Sequence, residues 1–320
     1  MIPRTLFSSD HETFRDTVRK FLENEAVPHH EEWEQTGQVP KELWRKAGEQ
    51  GFLCPMVSEE YGGIGADFLY SVVVSEEISR AGLTGIGWGL HTEIVAPYIE
   101  HYGSEEMKQR LLPKMVSGEL IGAIAMSEPG AGSDLQGVKT NAVKDGDHYI
   151  LNGSKTFITN GQNADIVIVV AKTDPSKGAK GTSLLIVEEG MEGFQKGKNL
   201  KKVGMKAQDT SELFFQDVKV PVENLVGDEG MGFIYLMQEL PQERLGIAIN
   251  GLAMAESAFE HTLDYVKERK AFGQRVADFQ NTQFKLAEMR TKLDVARAYV
   301  DRCLAVSYTH LRAHETKANL

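Results

Sequence analysis

Residues 1–119 carry apolar side chains at the three- and four-residue spacing of helices. Ser9 and Glu12 have the spacing of a capping box at the start of the first predicted helix. The apolar face of this helix consists of Phe14, Val18, Phe21 and Leu22. The predicted helices that follow lie between Pro40 and Gly51, over 68–78 and from Ser104 onward. We therefore predict a helical domain at the start of the chain.

The pattern changes to short runs of β-branched and aromatic residues within 120–227. These runs are 166–171, 183–187 and 213–215, the last followed by Val218 and Val220. Turn sequences rich in Gly, Asp and Asn separate the runs, for example at 145–147 and 152–153. This part of the chain is predicted to form a compact β domain.

The helical period returns in residues 228–305. Its clearest apolar stripe consists of Leu286, Met289, Leu293, Ala296 and Val300. The order of helical, β and helical parts predicts a mainly α protein of the α+β class. Residues 306–320 carry no comparable stripe and are expected to lie outside this domain as a tail.

Composition narrows the classes of function. The 320-residue chain has 41% hydrophobic and 25% charged residues, which are ordinary for a globular protein of two or three domains. Its net charge of -11 disfavours nucleic acid or an anionic membrane as a partner, because both reward clustered positive charge. Only Cys54 and Cys303 are present, so we propose neither a disulfide framework nor a metal site. Without a membrane-spanning run or a signal peptide, a cytoplasmic location is expected.

Candidate chemistry begins with a turn of small residues at 125–134, which reads AMSEPGAGSD. Such a turn exposes main-chain N–H groups that suit oxyanions, and Ser127 and Ser133 add hydroxyl groups. Taken alone, a glycine-rich turn is more often structural than functional. It is not the fingerprint of a dinucleotide-binding Rossmann domain, because Leu135 stands where the third glycine belongs.

Two later segments give this turn a context. Residues 155–161 read KTFITNG, and 268–273 read ERKAFG. With the turn, they resemble the signature segments of the acyl-CoA dehydrogenase family, in the same order and at nearly the same spacing. The segment LPQERL at 240–245 resembles the long-chain branch of that family. The resemblance ends at 305, so 306–320 is interpreted as a foreign end on a truncated chain, with a solvated tail as the alternative.

The resemblance implies that the protein binds FAD in two signature segments. The first segment is expected to run along the isoalloxazine and pyrophosphate through Ile124, Ala125, Met126, Ser127, Gly132 and Ser133. The second is expected to cover the other flavin face through Phe157, Ile158 and Thr159. Without the family, Phe157 could equally be an aromatic residue of a sheet core.

A second set of cofactor residues is implied near the start of the last helix: Arg269, Phe272 and Gln280. In the family, the matching Arg and Phe reach the adenosine diphosphate of an FAD bound to a neighbouring subunit. The planar fork of an arginine suits this task because it bonds pyrophosphate through two parallel hydrogen bonds. The resemblance therefore implies an oligomer, a homotetramer for the full-length protein.

Glu243 is the predicted catalytic base. In the long-chain and isovaleryl branches the general base occupies this position, and removal of an α-proton from a thioester requires a carboxylate in a desolvated, apolar site. Glu239 lies four residues earlier, and the ordinary interpretation of this helix start places Glu239 in solvent. The implied substrate-binding residues are Ser133, Ala179, Lys180, Ile234, Pro241, Gln242 and Arg244.

The function implied is FAD-dependent α,β-dehydrogenation of acyl-CoA, with long chains favoured and electrons passed to electron-transfer flavoprotein. Two alternatives stay open from the sequence. One is an acyl-CoA oxidase or a flavin monooxygenase of the same fold, which would use oxygen as the acceptor. The other is a non-catalytic fragment, which the unmatched end at 306–320 suggests.

Overall fold

The computed structural model describes the main chain of residues 3–318 and the side chains of residues 3–307. Its main helices are α1 (Ser9–Glu25), α2 (His30–Thr36), α3 (Lys41–Glu49), α4 (Phe68–Arg80), α5 (Ala96–Tyr102), α6 (Glu105–Val116), α7 (Gly232–Glu268) and α8 (Gln280–Ala318). Its strands are β1 (Gly122–Ala125), β2 (Asn141–Asp145), β3 (His148–Thr159), β4 (Ile166–Lys172), β5 (Thr182–Glu188), β6 (Phe194–Asn199), β7 (Thr210–Pro221), β8 (Lys270–Ala271) and β9 (Gln274–Arg275). Helices, strands and helices follow one another as predicted, so the α+β class is confirmed.

The chain forms two compact units. The larger unit contains residues 28–66 and 84–243. The smaller unit contains the described residues up to 27, residues 67–83 and the chain from residue 244 onward. The predicted domain boundaries at 119, 227 and 305 stay predictions.

The larger unit is built on a sheet with the strand order β1-β4-β2-β3-β7-β6, and β5 pairs with β4. Strand β1 runs parallel to β4, whereas β3 and β7 form a long antiparallel pair. A β-bulge interrupts this pair, since the register shifts between Lys155 and Ile158. Phe157 lies in the bulge with a φ of 59°, in a left-handed region where bulky residues are uncommon.

Strand β4 is buried along its whole length. Because side chains alternate between the faces of a strand, Ile166 and Ile168 pack into one core cluster while Val167 and Val169 pack into another. The first cluster also contains residues of α5 and α6, and the second contains inward residues of β3 and β7.

A helix that the sequence pattern does not mark precedes α6. It starts with a π-helical turn at Leu90–Val95 and continues directly into α5, with Pro97 in the first turn of that α-helix. The Gly122 amide donates to His91 Nδ1 at 3.0 Å, which ties this helix to β1. The sequence of this helix lacks regular helical spacing, because it contains β-branched residues, a proline and a wide π-helical turn.

The smaller unit places α1 against α4. Glu76 and Glu77 of α4 are buried, and each accepts hydrogen bonds from arginines. Arg15 Nη1 lies 3.0 Å from Glu76 Oε2 and 3.2 Å from Glu77 Oε1, and Arg297 of α8 lies 2.8 Å from Glu76 Oε1. Buried carboxylates require such partners.

The start of α1 corrects the predicted cap. Ser8, not Ser9, is the N-cap residue, and its hydroxyl accepts from the His11 amide. The imidazole of His11 takes the reciprocal bond from the Ser8 amide at 3.0 Å. The prediction was wrong because a histidine ring nitrogen can accept in place of the carboxylate of Glu12.

Two further predictions bear on the end of the chain and on membranes. The main chain of α8 is helical through Ala318, so most of 306–320 continues this helix, while its side chains from 308 lie outside the described residues. Among the described residues, no helix has the length and hydropathy of a membrane span.

Candidate active site

The predicted flavin turn is clamped to strand β3 by a buried ion pair. Lys155 Nζ donates to Glu128 Oε1 and to the Met126 carbonyl oxygen, each at 2.9 Å. The Thr156 amide donates to the Ser127 carbonyl oxygen at 3.0 Å. The structure therefore brings the two predicted signature segments together in the larger unit.

Electrostatics keep this clamp ionised. Burial lowers the pKa of Lys155 to about 8, although Glu128 opposes the shift. Burial opposes ionisation of Glu128 as well, but hydrogen bonds from Thr140, Lys139 and Lys155 hold its pKa below the ordinary value. Sequence analysis missed this pair, because a glutamate in a turn and a lysine in a strand carry no signal that they meet.

The turn itself is closed by main-chain hydrogen bonds and is open on its outer side. The Glu128 amide donates to the Ala131 carbonyl oxygen at 2.8 Å, and the Ala131 amide donates back at 3.1 Å. A Cβ atom added at Gly130 or Gly132 would meet nothing within 4 Å. Ile124 and Ala125 are buried at the base of the turn, while Ser133 is exposed.

Phe157 presents its ring to solvent rather than to the sheet core. Its side chain is 71% exposed, and the bulge turns it away from the core that Ile158 enters. Asn160, at the end of the same segment, donates from Nδ2 to the carbonyl oxygens of Gly87 and Gly122 at 3.1 and 3.3 Å. The interpretation of Phe157 as a sheet-core aromatic is thus wrong, and an anchored backbone holds an exposed ring beside the glycine turn.

Glu243 is buried, with 8% of its surface exposed. The hydroxyl of Tyr98 in α5 donates to Glu243 Oε1 at 2.9 Å. Burial, followed by the charge of Glu243, raises the pKa of Tyr98 far above its ordinary value, so the hydroxyl stays protonated as a donor. The next residue along α7 is held too, since Gln242 Nε2 donates to the Glu93 carbonyl oxygen at 3.1 Å.

Glu239 is also buried, and its predicted position in solvent is wrong. Its Oε1 accepts from His101 Nδ1 at 2.9 Å and from the Tyr102 hydroxyl at 2.7 Å. The Tyr102 ring in turn stacks on Tyr235 with ring centroids 4.0 Å apart. The prediction failed because α5 covers this face of α7, and that helix was not recognised in the sequence.

The spacing of residues in α5 contains a signal that was missed. Tyr98 and Tyr102 are one helical turn apart, as are Glu239 and Glu243 on the opposing helix. Each tyrosine donates to one of the two carboxylates. Such matched i,i+4 pairs could have been sought once α5 was known.

The predicted substrate residues lie around the start of α7. Ile234 and Pro241 are exposed on one face of this helix, and Met237, which sequence analysis did not select, is exposed between them. The turn that contains Ala179 and Lys180 approaches the beginning of α7, where a Cβ on Gly230 would lie 2.6 Å from the Lys180 carbonyl oxygen. This exposed apolar stripe lies on the side of α7 that faces away from the buried Glu243, and Arg244 is exposed directly after Glu243.

The remaining predicted residues belong to the smaller unit. Strands β8 and β9 form a hairpin whose turn contains Phe272 and Gly273, both with positive φ. Phe272 is 97% exposed at the tip, and Arg269 is exposed at the base. Gln280 is exposed at the first residue of α8. The three residues thus frame one hairpin and the helix start that follows it.

Comparison with known proteins gives this architecture a family. The acyl-CoA dehydrogenase N-terminal domain matches residues 8–119, the middle domain matches 123–218 and the C-terminal domain matches 230–318. The C-terminal match thus includes most of the segment that was set apart as a tail. The chain belongs to the acyl-CoA dehydrogenase family and is an oxidoreductase.

Individual relatives are similar over most of this chain. The long-chain specific acyl-CoA dehydrogenase of Sus scrofa mitochondria is 55% identical over 316 residues, which are 98% of this chain and 72% of that protein. The crystal structure of an acyl-CoA dehydrogenase from Geobacillus kaustophilus has a TM-score of 0.94 and 55% identity, with 96% of this chain and 82% of that chain covered. An acyl-CoA dehydrogenase complexed with FAD from Bacillus anthracis has a TM-score of 0.89 and 37% identity, with 96% and 53% covered.

Proposed function

We propose that this enzyme dehydrogenates acyl-CoA thioesters to trans-2-enoyl-CoA with FAD as its cofactor and Glu243 as its general base. The observation that carries the proposal is the buried, hydrogen-bonded carboxylate of Glu243. A buried carboxylate needs a reason to be retained, and a positioned base for an α-proton is one that fits the family.

The residues around the clamped turn fit a flavin. The exposed ring of Phe157 can stack on a planar ligand, and the outer side of the turn has room at Gly130 and Gly132 for close approach of a pyrophosphate to main-chain N–H groups. Ser127 and Thr159 are half-buried hydroxyl residues that can bond the polar edges of the ring. A flavin bound there would supply a two-electron acceptor for the β-hydride of the substrate.

The side chains of this enzyme then position the substrate and move one proton. Ile234 and Pro241 stay predicted contacts of the acyl chain, and their exposed stripe lies on the side of α7 away from Glu243. Glu243 accepts the α-proton at its carboxylate. Ala179 and Lys180 are proposed to lie near the CoA part of the substrate, and Ser133, Gln242 and Arg244 are further proposed substrate contacts.

We propose long straight-chain acyl groups as the preferred substrates and electron-transfer flavoprotein as the electron acceptor. The 55% identity to a long-chain specific relative supports the chain length. We also propose a cytoplasmic homotetramer, in which the exposed Arg269, Phe272 and Gln280 reach the FAD of a neighbouring subunit. The exposure of these three residues supports this arrangement.

Anaerobic stopped-flow reduction of the bound flavin tests the proposal. Palmitoyl-CoA should bleach the flavin absorbance of the parent enzyme faster than butyryl-CoA does. Glu243→Gln should retain FAD and acyl-CoA binding, because the side chain keeps its shape, but flavin reduction should slow by about 10²–10⁴-fold because the proton acceptor is lost.

The matched control is Glu260→Gln, which removes an exposed carboxylate from the same helix and should leave the rate unchanged. Reduction of the Glu243→Gln flavin at the parent rate would exclude Glu243 as the base. Stoichiometric peroxide during aerobic turnover would indicate an oxidase instead of a dehydrogenase that uses electron-transfer flavoprotein.

A further inference from the structure

Tyr98 has a rigid position that depends little on its hydroxyl group. Its side chain is 0% exposed and belongs to the core cluster that also contains Val95, Ile99 and Leu112. The ring is therefore fixed by packing on the helix that begins with the π-helical turn. From this position the hydroxyl reaches Glu243 Oε1 at 2.9 Å.

The neighbouring carboxylate provides an internal comparison. Glu239 has two donors, His101 and Tyr102, of which the histidine can carry a positive charge. For Glu243, the donor that α5 provides is the neutral hydroxyl of Tyr98. Both carboxylates are buried to a similar degree, and each accepts a hydrogen bond from a tyrosine of α5.

Desolvation alone would favour the protonated form of a buried carboxylate, and a protonated glutamate cannot accept the α-proton. A hydrogen bond donated to the ionised form acts in the opposite direction. Tyr98 can only donate here, because its own ionisation next to Glu243 is strongly disfavoured by burial and by the charge of Glu243.

We propose that Tyr98 is a positioning residue for Glu243, which keeps this carboxylate ionised and in one orientation so that it can act as a base near neutral pH. This inference rests on the proposed function of Glu243. The other titratable groups that act on Tyr98 are Glu239 of α7 and Tyr102 of α5, and His101 of α5 bonds Glu239 in turn.

The test is the pH dependence of kcat/KM, which reports the essential groups of the free enzyme. Loss of the donor in Tyr98→Phe should make Glu243 easier to protonate. Because only the ionised base is active, the loss of activity on acidification should begin at a pH about one unit higher than in the parent, equivalent to about 1.4 kcal/mol. At high pH, where Glu243 is ionised in either case, the rate should approach that of the parent.

Tyr102→Phe is the matched control, because it removes the same hydroxyl one turn away from a carboxylate that is not the proposed base. Its acid limb, the part of the pH profile in which kcat/KM falls on acidification, should stay at the pH of the parent. A purely structural role of Tyr98 would lower stability without moving the acid limb, and an unmoved limb in a FAD-loaded Tyr98→Phe enzyme would overturn the proposal.

A second replacement keeps the test valid if Tyr98→Phe does not fold. Site-specific incorporation of 3-fluorotyrosine at position 98 retains the shape and strengthens the donor, so the acid limb should move to lower pH. An unchanged limb, or one that moves upward, contradicts the proposal.

The Glu243→Gln enzyme separates the role of Glu243 from the role of Tyr98. If the flavin of Glu243→Gln is still reduced at the parent rate, the proposed base is wrong. Slow reduction in Glu243→Gln, together with an unmoved acid limb in Tyr98→Phe, rejects only the role of Tyr98.

Discussion

The Lys155 ammonium group contacts two segments of the candidate site at once, since it bonds both the Met126 carbonyl and Glu128. Neither Lys155 nor Glu128 was assigned a role from the family resemblance. Removal of one partner from a buried pair leaves an uncompensated charge, which is more costly than loss of the pair. The position of the glycine turn therefore depends on residues that need not touch the cofactor.

The His101–Glu239 pair predicts a window of pH in which it stabilises the fold. Its hydrogen bond to Glu239 raises the pKa of His101 above 6.5, which gives stability that is present below this value and lost as pH rises through the raised pKa. Burial opposes ionisation of Glu239, but His101 and Tyr102 hold its pKa below 4.5, so its stability is present above this value and lost on further acidification. The pair should therefore contribute most to the stability of the fold between pH 4.5 and pH 6.5.

His101→Gln should therefore lower the free energy of unfolding most near pH 5.5, by about 0.5–1 kcal/mol, since half of the histidine side chain is exposed and solvent screens the interaction. The difference from the parent should shrink toward pH 8.5. Urea unfolding at several pH values measures it, with His261→Gln as an exposed control on α7. An equal difference at both pH values would show that the charge of His101 does not contribute.

At the scale of elements, the periodicity of the sequence predicts the helical and β parts correctly but misses the helix at 90–102. The same gap accounts for the error at Glu239, because that carboxylate is covered by the missed helix. Periodicity describes which face of an element is apolar, whereas the partner of that face is decided by tertiary packing. Glu243 could be selected as a candidate base from its own segment, but its partner Tyr98 could not be recognised, since 145 residues separate the two.

The bulge at Phe157 was equally hidden, because a bulge is a property of the register between β3 and β7 and not of either strand alone. The sequence gives no reason to place an aromatic residue at positive φ. The family resemblance alone selected this position, and the structure shows there an exposed ring on an anchored segment.

Phe157→Ala should weaken FAD binding by roughly fivefold, or about 1 kcal/mol, through loss of ring stacking. The stability of the apoprotein should change little because the ring is exposed. Fluorescence titration of the apoprotein with FAD measures the affinity. Phe214→Ala, which removes an exposed ring from β7, should leave it unaltered; equal losses in both variants would show that the effect is not specific to the bulge.

At the scale of the molecule, the smaller unit exposes many large apolar side chains along its long helices. Those of α8 include Phe284, Met289, Val295 and Tyr299, each at least 45% exposed. Exposed apolar surface of this kind marks interaction sites more often than it marks free surface. It supports the proposed assembly, in which the hairpin of Arg269 and Phe272 contacts a neighbouring subunit.

Arg269→Lys should weaken FAD binding in the assembled enzyme by about tenfold, because a lysine cannot reproduce two parallel hydrogen bonds to a pyrophosphate. Lys270→Arg is the control, since it replaces the neighbouring exposed lysine by an arginine. FAD titration combined with sedimentation velocity measures affinity and assembly together. An active monomer with parent affinity for FAD would contradict a role across subunits.

Strand β4 has a consequence for the larger unit that concerns its cooperativity. Since alternate residues of this one strand enter two different hydrophobic clusters, neither cluster can open without exposing the back of the other. Local unfolding of the glycine turn or of α5 leaves this strand intact, whereas its separation from β1 and β5 removes the support of both clusters together. The amide hydrogens of β4 should therefore exchange with solvent only through global unfolding of this unit, whereas those of the segments that carry the candidate site should also exchange through local opening.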